Sequence, residues 1–146
     1  MNAPQSYLLL IGSAKPAGES TSESLGTYLT ARLEQTHGLT GDTIHVARAM
    51  RTEARIQQLL TAVDHVDLVV LASPLYVDSL PYLVTGAMER IAAFRQAQVQ
   101  PKAGALLAIV NCGFPEADHN QTALAICEQF ALESRMDWAG GLALGG

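Results

Sequence analysis

The stretch Tyr7–Leu25, YLLLIGSAKPAGESTSESL, passes from a short apolar run through a break rich in Gly, Ser and Pro into a helical pattern. Past the break, Leu25, Tyr28, Leu29 and Leu33 recur at the spacing of one helix face. Strand, polar turn and helix make the opening half of a βαβ unit. The same rhythm continues down the chain. Further runs lie at Thr43–Ala47, Leu68–Ala72 and Leu106–Val110, with a weaker one at Trp138–Leu144. Between them Ile56, Leu59, Leu60 and Val63 mark a second helix, Val84, Ala87, Met88 and Ile91 a third, and Ala123, Ile126, Cys127 and Phe130 a fourth. Gly38 and Gly41 close the first helix, and Pro101 and Gly104 the third. Leu68–Ala72 and Leu106–Val110 hold no polar residue, as expected of parallel strands buried on both faces. His45 interrupts its run, which suits a sheet edge.

Alternation of this kind predicts an α/β domain with a five-stranded parallel sheet, and the common doubly wound order is 2-1-3-4-5. Right-handed crossovers then place the first helix on one face and the next three on the other. Five strands at ~4.8 Å span about 24 Å, whereas one helix covers about 10 Å. The first helix cannot cover its face alone, and the segment after the fifth strand, Leu144-Gly145-Gly146, holds no further helix. The expectation is a face covered by a partner subunit, or a chain truncated at its C-terminus.

Composition narrows the function classes. The 146 residues are 49% hydrophobic and 16% charged, which excludes intrinsic disorder and fits one domain over residues 1–146. Nine Lys+Arg against fourteen Asp+Glu give a net charge of −5, which argues against a nucleic-acid or anionic-membrane surface. The start, MNAPQSYLLLIG, lacks the basic segment of a signal peptide, and no apolar run reaches the length of a membrane span, so the expectation is a cytoplasmic protein. Two cysteines, Cys112 and Cys127, form no CxxC pair, and the four histidines show no ligand spacing, so no metal is expected.

Three turns at the carboxyl ends of the predicted strands carry the chemistry. The first, Gly12–Ser22, enters a helix whose leading N–H groups are unpaired and whose dipole favours an anion. Ser20 and Glu23 also read as an ordinary capping box. A cap needs one hydroxyl, however, and the loop supplies Ser13, Ser20, Thr21 and Ser22, with Lys15 beside them. The pattern predicts phosphate binding. G-x-G-x-x-G is absent, and Glu19 stands where a nucleoside-triphosphatase loop needs lysine, so a single terminal phosphate fits best. The second turn follows Ala72. Pro74 and Pro81 stiffen it, and Leu75, Tyr76 and Val77 form an apolar wall on which an aromatic ring system can stack, or which packs the top of the core. The third holds Asn111, Cys112 and Gly113, followed by Phe114-Pro115. Asn111 both donates and accepts, and Gly113 permits close backbone approach. Cys112 has no identifiable partner base, and Cys127 reads as inert. Asp78 and Asp118 read as turn carboxylates.

With these turns assembled, the chain resembles the flavodoxin-like superfamily, and within it the NAD(P)H-dependent FMN reductase family. The matching segments are GSAKPAGESTSESL, SPLYVDSLPYLVTGAME and VNCGFPE. The resemblance implies a flavodoxin-like three-layer sandwich lacking its final helix. It implies an FMN phosphate on Ser13, Lys15, Ser20, Thr21 and Ser22, with lysine where many members have arginine. It places the isoalloxazine against Pro74, Leu75, Tyr76 and Val77, with Asn111, Cys112 and Gly113 on its other side. NAD(P)H is the implied co-substrate, and a homodimer or larger homo-oligomer the implied assembly.

The expected function is therefore an FMN-binding, NAD(P)H-dependent oxidoreductase that passes electrons to a quinone, a flavin or a redox protein. The cofactor carries the chemistry, so no catalytic side chain is named. The alternative is a flavodoxin-like electron carrier or assembly module with weak or lost flavin binding, and eight aromatic residues leave few rings to enclose a flavin. A hydrolase or transferase using the same loop for another phosphate ligand is a third reading. A two-component receiver domain does not fit, because no acidic pair follows the first strand.

Overall fold

The computed structural model describes residues 3–76, 79–113 and 121–145. The elements run β1 (Ser6–Ile11), α1 (Thr21–His37), β2 (Thr40–His45), α2 (Val46–Ala49), α3 (Glu53–His65), β3 (Leu68–Pro74), α4 (Tyr82–Gln96), β4 (Ala105–Asn111), α5 (Gln121–Glu133) and β5 (Asp137–Leu144). The five strands form one sheet of order β2-β1-β3-β4-β5, every pair parallel.

Side-chain alternation along the inner strands sorts the core into two layers. Leu8, Leu10, Val69, Leu71, Leu106, Ala108 and Val110 face α3, α4 and α5 through Leu59, Val84, Ile91, Cys127 and Phe130. Tyr7, Leu9, Ile11, Val70, Ala72 and Ile109 face the other way, toward Leu25, Leu29 and Leu33 of α1. Both faces of β1, β3 and β4 are thus apolar, which explains their uninterrupted hydrophobic runs. Helix α1 starts at Ser20, whose Oγ accepts the Glu23 N–H at 3.0 Å, and it ends at Gly38 in the left-handed region.

The second strand differs from its expected position. It spans Thr40–His45 rather than Thr43–Ala47, because Val46 and Ala47 turn into the four-residue helix α2. Its start is exposed and polar, as an edge strand permits, so no apolar run betrays it. Gly41 lies opposite Tyr7, where a Cβ would come within 2.7 Å of the ring and closer still to the Tyr7 carbonyl. The strand can therefore begin this early only with a glycine there.

Helix α1 packs on β1, β3 and β4 and leaves the outer part of its face open. Register places Leu142 beside Ile109 and Leu144 beside Asn111 on that side. Leu142 is 49% exposed and Leu144 40% exposed, as the width argument requires.

At the amino end of the sheet, Arg95 is buried on α4. It donates to the Ser134 carbonyl at 2.7 Å, the Asp64 carboxylate at 2.6 Å and the Lys102 carbonyl at 2.6 Å. One side chain thereby ties α4 to the ends of α3 and α5 and to the approach to β4. Among the described residues no helix is long and apolar enough to cross a membrane.

Candidate functional site

In a sheet of this order α1 carries the chain from β1 outward to β2, the next crossover returns it past β1 to β3, and a crevice opens at the carboxyl ends of β1 and β3. The register brings the predicted turns to that edge: Ile11 lies beside Ala72, Pro74 beside Asn111, and Asn111 beside Leu144. Gly12 anchors the first turn by donating its N–H to the Ala72 carbonyl at 2.8 Å. A Cβ on Gly12 would stand 2.6 Å from Ser73 Oγ and 2.8 Å from Val84 Cγ2, so the loop leaves the sheet tight against β3 and α4.

The loop's hydroxyls divide by what they already do. Ser13 Oγ accepts the Lys15 N–H at 3.2 Å, and Ser20 Oγ caps α1, so each keeps its proton for donation. Thr21 is exposed at the first helical position. Ser22 is buried and gives its proton to Asn111 Oδ1 at 2.8 Å, so toward an anion it has only its backbone N–H. The N–H groups of Thr21 and Ser22 have no partner among the described residues, as expected in the first helical turn. Lys15 is exposed in the same loop. The donor set is thus three hydroxyl protons, two helix N–H groups and one ammonium, which suits a phosphate monoester.

Glu23 stabilises this turn from behind. Its Oε1 accepts the Gly18 N–H at 2.9 Å and lies 2.9 Å from His45 Nε2 at the end of β2. The His45 hydrogen bond, then that from Gly18, holds the Glu23 carboxyl below its ordinary range. Nothing in the sequence singled out His45 as a partner of the loop; only the parallel β1–β2 register puts the two together.

Beyond β3, Pro74 and Leu75 are half-buried, and the Leu75 N–H donates to the Asn111 carbonyl at 2.8 Å. Tyr76 is 47% exposed, and its backbone pairs with Ser79 in both directions, at 2.7 and 2.9 Å. Val77 and Asp78 lie outside the described residues, as do Phe114, Pro115 and Asp118. Cys112 is buried and donates its N–H to the Leu144 carbonyl at 3.1 Å, while Gly113 is exposed. Burial pushes the Cys127 thiol up to about 12, in keeping with an inert core residue.

No protein-family model matches this sequence, and neither does any curated protein. Solved structures do match. An NADH:FMN oxidoreductase in its apo form aligns with a TM-score of 0.71 at 18% identity, covering 94% of this chain and 75% of that one. The fold is flavodoxin-like. An NADPH-quinone reductase from P. pentosaceus aligns with this flavodoxin-like chain at a TM-score of 0.65 and 18% identity, covering 97% of this chain and 84% of that one. An NAD(P)H:quinone oxidoreductase from Methanothermobacter marburgensis aligns at 0.64 and 14% identity, covering 94% and 87%. The resemblance read from the three turns thus has its counterpart in the fold, and the three structures named above are an FMN oxidoreductase and two quinone reductases.

Proposed function

We propose that this chain binds FMN and acts as an NAD(P)H-dependent oxidoreductase toward a small acceptor such as a quinone, a free flavin or a redox protein. The observation that carries this reading is the donor set at the start of α1, placed at the crevice where a doubly wound sheet takes its ligand. It fits the dianionic end of FMN. Ser13, Ser20 and Thr21 donate hydroxyl protons to the phosphate, Thr21 and Ser22 add their N–H groups, and Lys15 supplies charge.

Pro74, Leu75, Tyr76 and Val77 supply the apolar wall for the ring, and Asn111, Cys112 and Gly113 border its other side. Asn111 is held in one orientation by Ser22, so the two sides of the site are joined before any ligand arrives. Bound flavin supplies hydride acceptance from reduced nicotinamide and onward electron transfer. The protein's own task is to hold, stack and exclude water, and no side chain serves as acid or base. The chain works as a homodimer or larger homo-oligomer, a reading supported by the apolar face left open beside α1.

The test is the visible absorption of the purified protein, followed by an FMN titration read by fluorescence quenching and an assay of NAD(P)H oxidation. Flavin bands or saturable quenching, with NAD(P)H consumed, support the proposal. Absence of quenching with FMN well above micromolar overturns it. Flavin binding without NAD(P)H oxidation favours an electron carrier.

A further inference from the structure

A second cluster of chemistry lies behind the phosphate loop, at the carboxyl end of β2. Here α2 and the start of α3 enclose a crevice of about 250 Å³. Ile44, Ala49 and Leu59 give it apolar walls, and His45, Arg48 and Arg55 border it. Both arginines are exposed, and neither has an acidic partner within ion-pair distance among the described residues. This is unlike Arg90, Arg95 and Lys102, which pair with Glu53, Asp64 and Asp67.

This charge is only partly compensated, since Arg48 lies close enough to Glu23 to help hold its carboxyl down but forms no ion pair with it. Glu53 stands two residues before Arg55, but both its oxygens are taken by Arg90, at 3.2 and 2.5 Å. Glu23, on the loop side, already accepts from Gly18 and pairs with His45. Two guanidinium groups without an ion-pair partner among the described residues therefore border an apolar hollow in a chain of net charge −5. Guanidinium groups bind phosphate oxygens through paired N–H donors and stack on flat rings. The volume is below the roughly 300–1,000 Å³ of a pocket that encloses a whole small ligand, so it suits one end of a longer molecule.

We infer that this crevice binds a phosphorylated nucleoside through Arg48 and Arg55, and that its occupant is the 2′-phosphoadenosine end of NADPH. The identity of that occupant rests on the nicotinamide reading above; the anion site itself does not. The link through His45, Glu23 and Gly18 joins it to the loop proposed for the flavin phosphate, so both ligands bear on one structural unit. Such a site makes NADPH the preferred donor over NADH.

The test is calorimetric titration of the whole chain with 2′,5′-ADP, 5′-AMP and inorganic phosphate. Arg48→Ala/Arg55→Ala is compared with wild type, and Arg32→Ala, an exposed cation on α1, is the control. Saturable binding of 2′,5′-ADP, tighter than that of 5′-AMP, is expected. It should weaken tenfold or more in the double variant and not in the control, with FMN quenching unchanged. Absence of binding, or equal affinity in the double variant, overturns the site. Inorganic phosphate binding as tightly as 2′,5′-ADP overturns the nucleoside assignment. Arginine-dependent binding of 2′,5′-ADP by a chain that fails to quench FMN would support the site while removing the flavin reading.

Discussion

Ser22 Oγ donates to Asn111 Oδ1 at 2.8 Å, across 89 positions of sequence, and so fastens the first turn of α1 to the end of β4. Replacing Ser22 by Ala removes the donor and leaves the half-buried Asn111 oxygen without it. A loss of about 1 kcal/mol is expected in urea unfolding. The freed amide should also weaken FMN binding in a quenching titration. An unfolding midpoint equal to wild type would mean that the bond contributes nothing.

Gly12 makes a sharper prediction. A methyl group there meets Ser73 and Val84 at 2.6–2.8 Å, in a region with no slack. Gly12→Ala should cost about 1–3 kcal/mol in denaturant unfolding, as overpacking does, and should shift the phosphate loop outward. FMN affinity is expected to fall along with stability.

Tyr76 tests the ring wall without touching the core, because it is 47% exposed. An aromatic pair adds about 0.5–1.5 kcal/mol beyond simple burial. Tyr76→Ala should therefore weaken FMN up to about tenfold while leaving thermal unfolding close to wild type. Tyr76→Phe should bind like wild type. Unchanged affinity in the alanine variant would remove Tyr76 from the flavin site.

Arg95 predicts stability alone. Its three bonds of 2.6–2.7 Å are made in a buried setting, and truncation leaves the Asp64 carboxylate and two carbonyls without their donor. Arg95→Ala should destabilise by about 3–5 kcal/mol. The site lies at the other end of the sheet, so ligand affinity of the folded fraction should not change.

Among the described residues three carboxylates are held low, exposed Glu53 by Arg90 among them, and the two that tie segments of the fold together through backbone N–H groups make the test of acid sensitivity. Glu23 is held below its ordinary 4.5, first by His45 and then by Gly18. Asp67 is held below its ordinary 3.8, chiefly by the Gln5 N–H. A carboxyl with a lower pKa in the folded state stabilises the fold fully above its unfolded value, and that contribution disappears as pH falls through the folded value. Melting temperature should therefore drop below pH 4.5, and Glu23→Gln and Asp67→Asn should each flatten part of that drop. Identical acid profiles in all three proteins would place the sensitivity elsewhere.

How much of this was legible depends on where the cause lies. The inner strands and the helix faces were plain in the sequence because burial on both sides leaves nothing polar in Leu68–Ala72 or Leu106–Val110. The sheet order was taken as the common one for this alternation, and the open face then followed from handedness and width. The position of β2 did not, since Thr40–Thr43 is exposed and its register is set by contact with β1. Helix α2, at four residues, is too short to show a period. In the site, the loop hydroxyls were legible as a group, but their division of labour was not. Ser22 is committed to Asn111 by a contact that no local pattern encodes, and the same holds for His45 and Glu23.

The two borders of the sheet are unequal. β2 ends the sheet with a polar sequence containing Asp42 and His45. β5 ends it with DWAGGLAL, which has a single charge, no proline, and a break in register against Leu106 and Leu107 as its one irregularity. Charge, proline and bulges are what keep a border strand from templating a neighbour. The propensity of this molecule to recruit another chain edge to edge is therefore one-sided. Any pairing of two copies through sheet borders should run through Asp137–Leu144 and not through Thr40–His45.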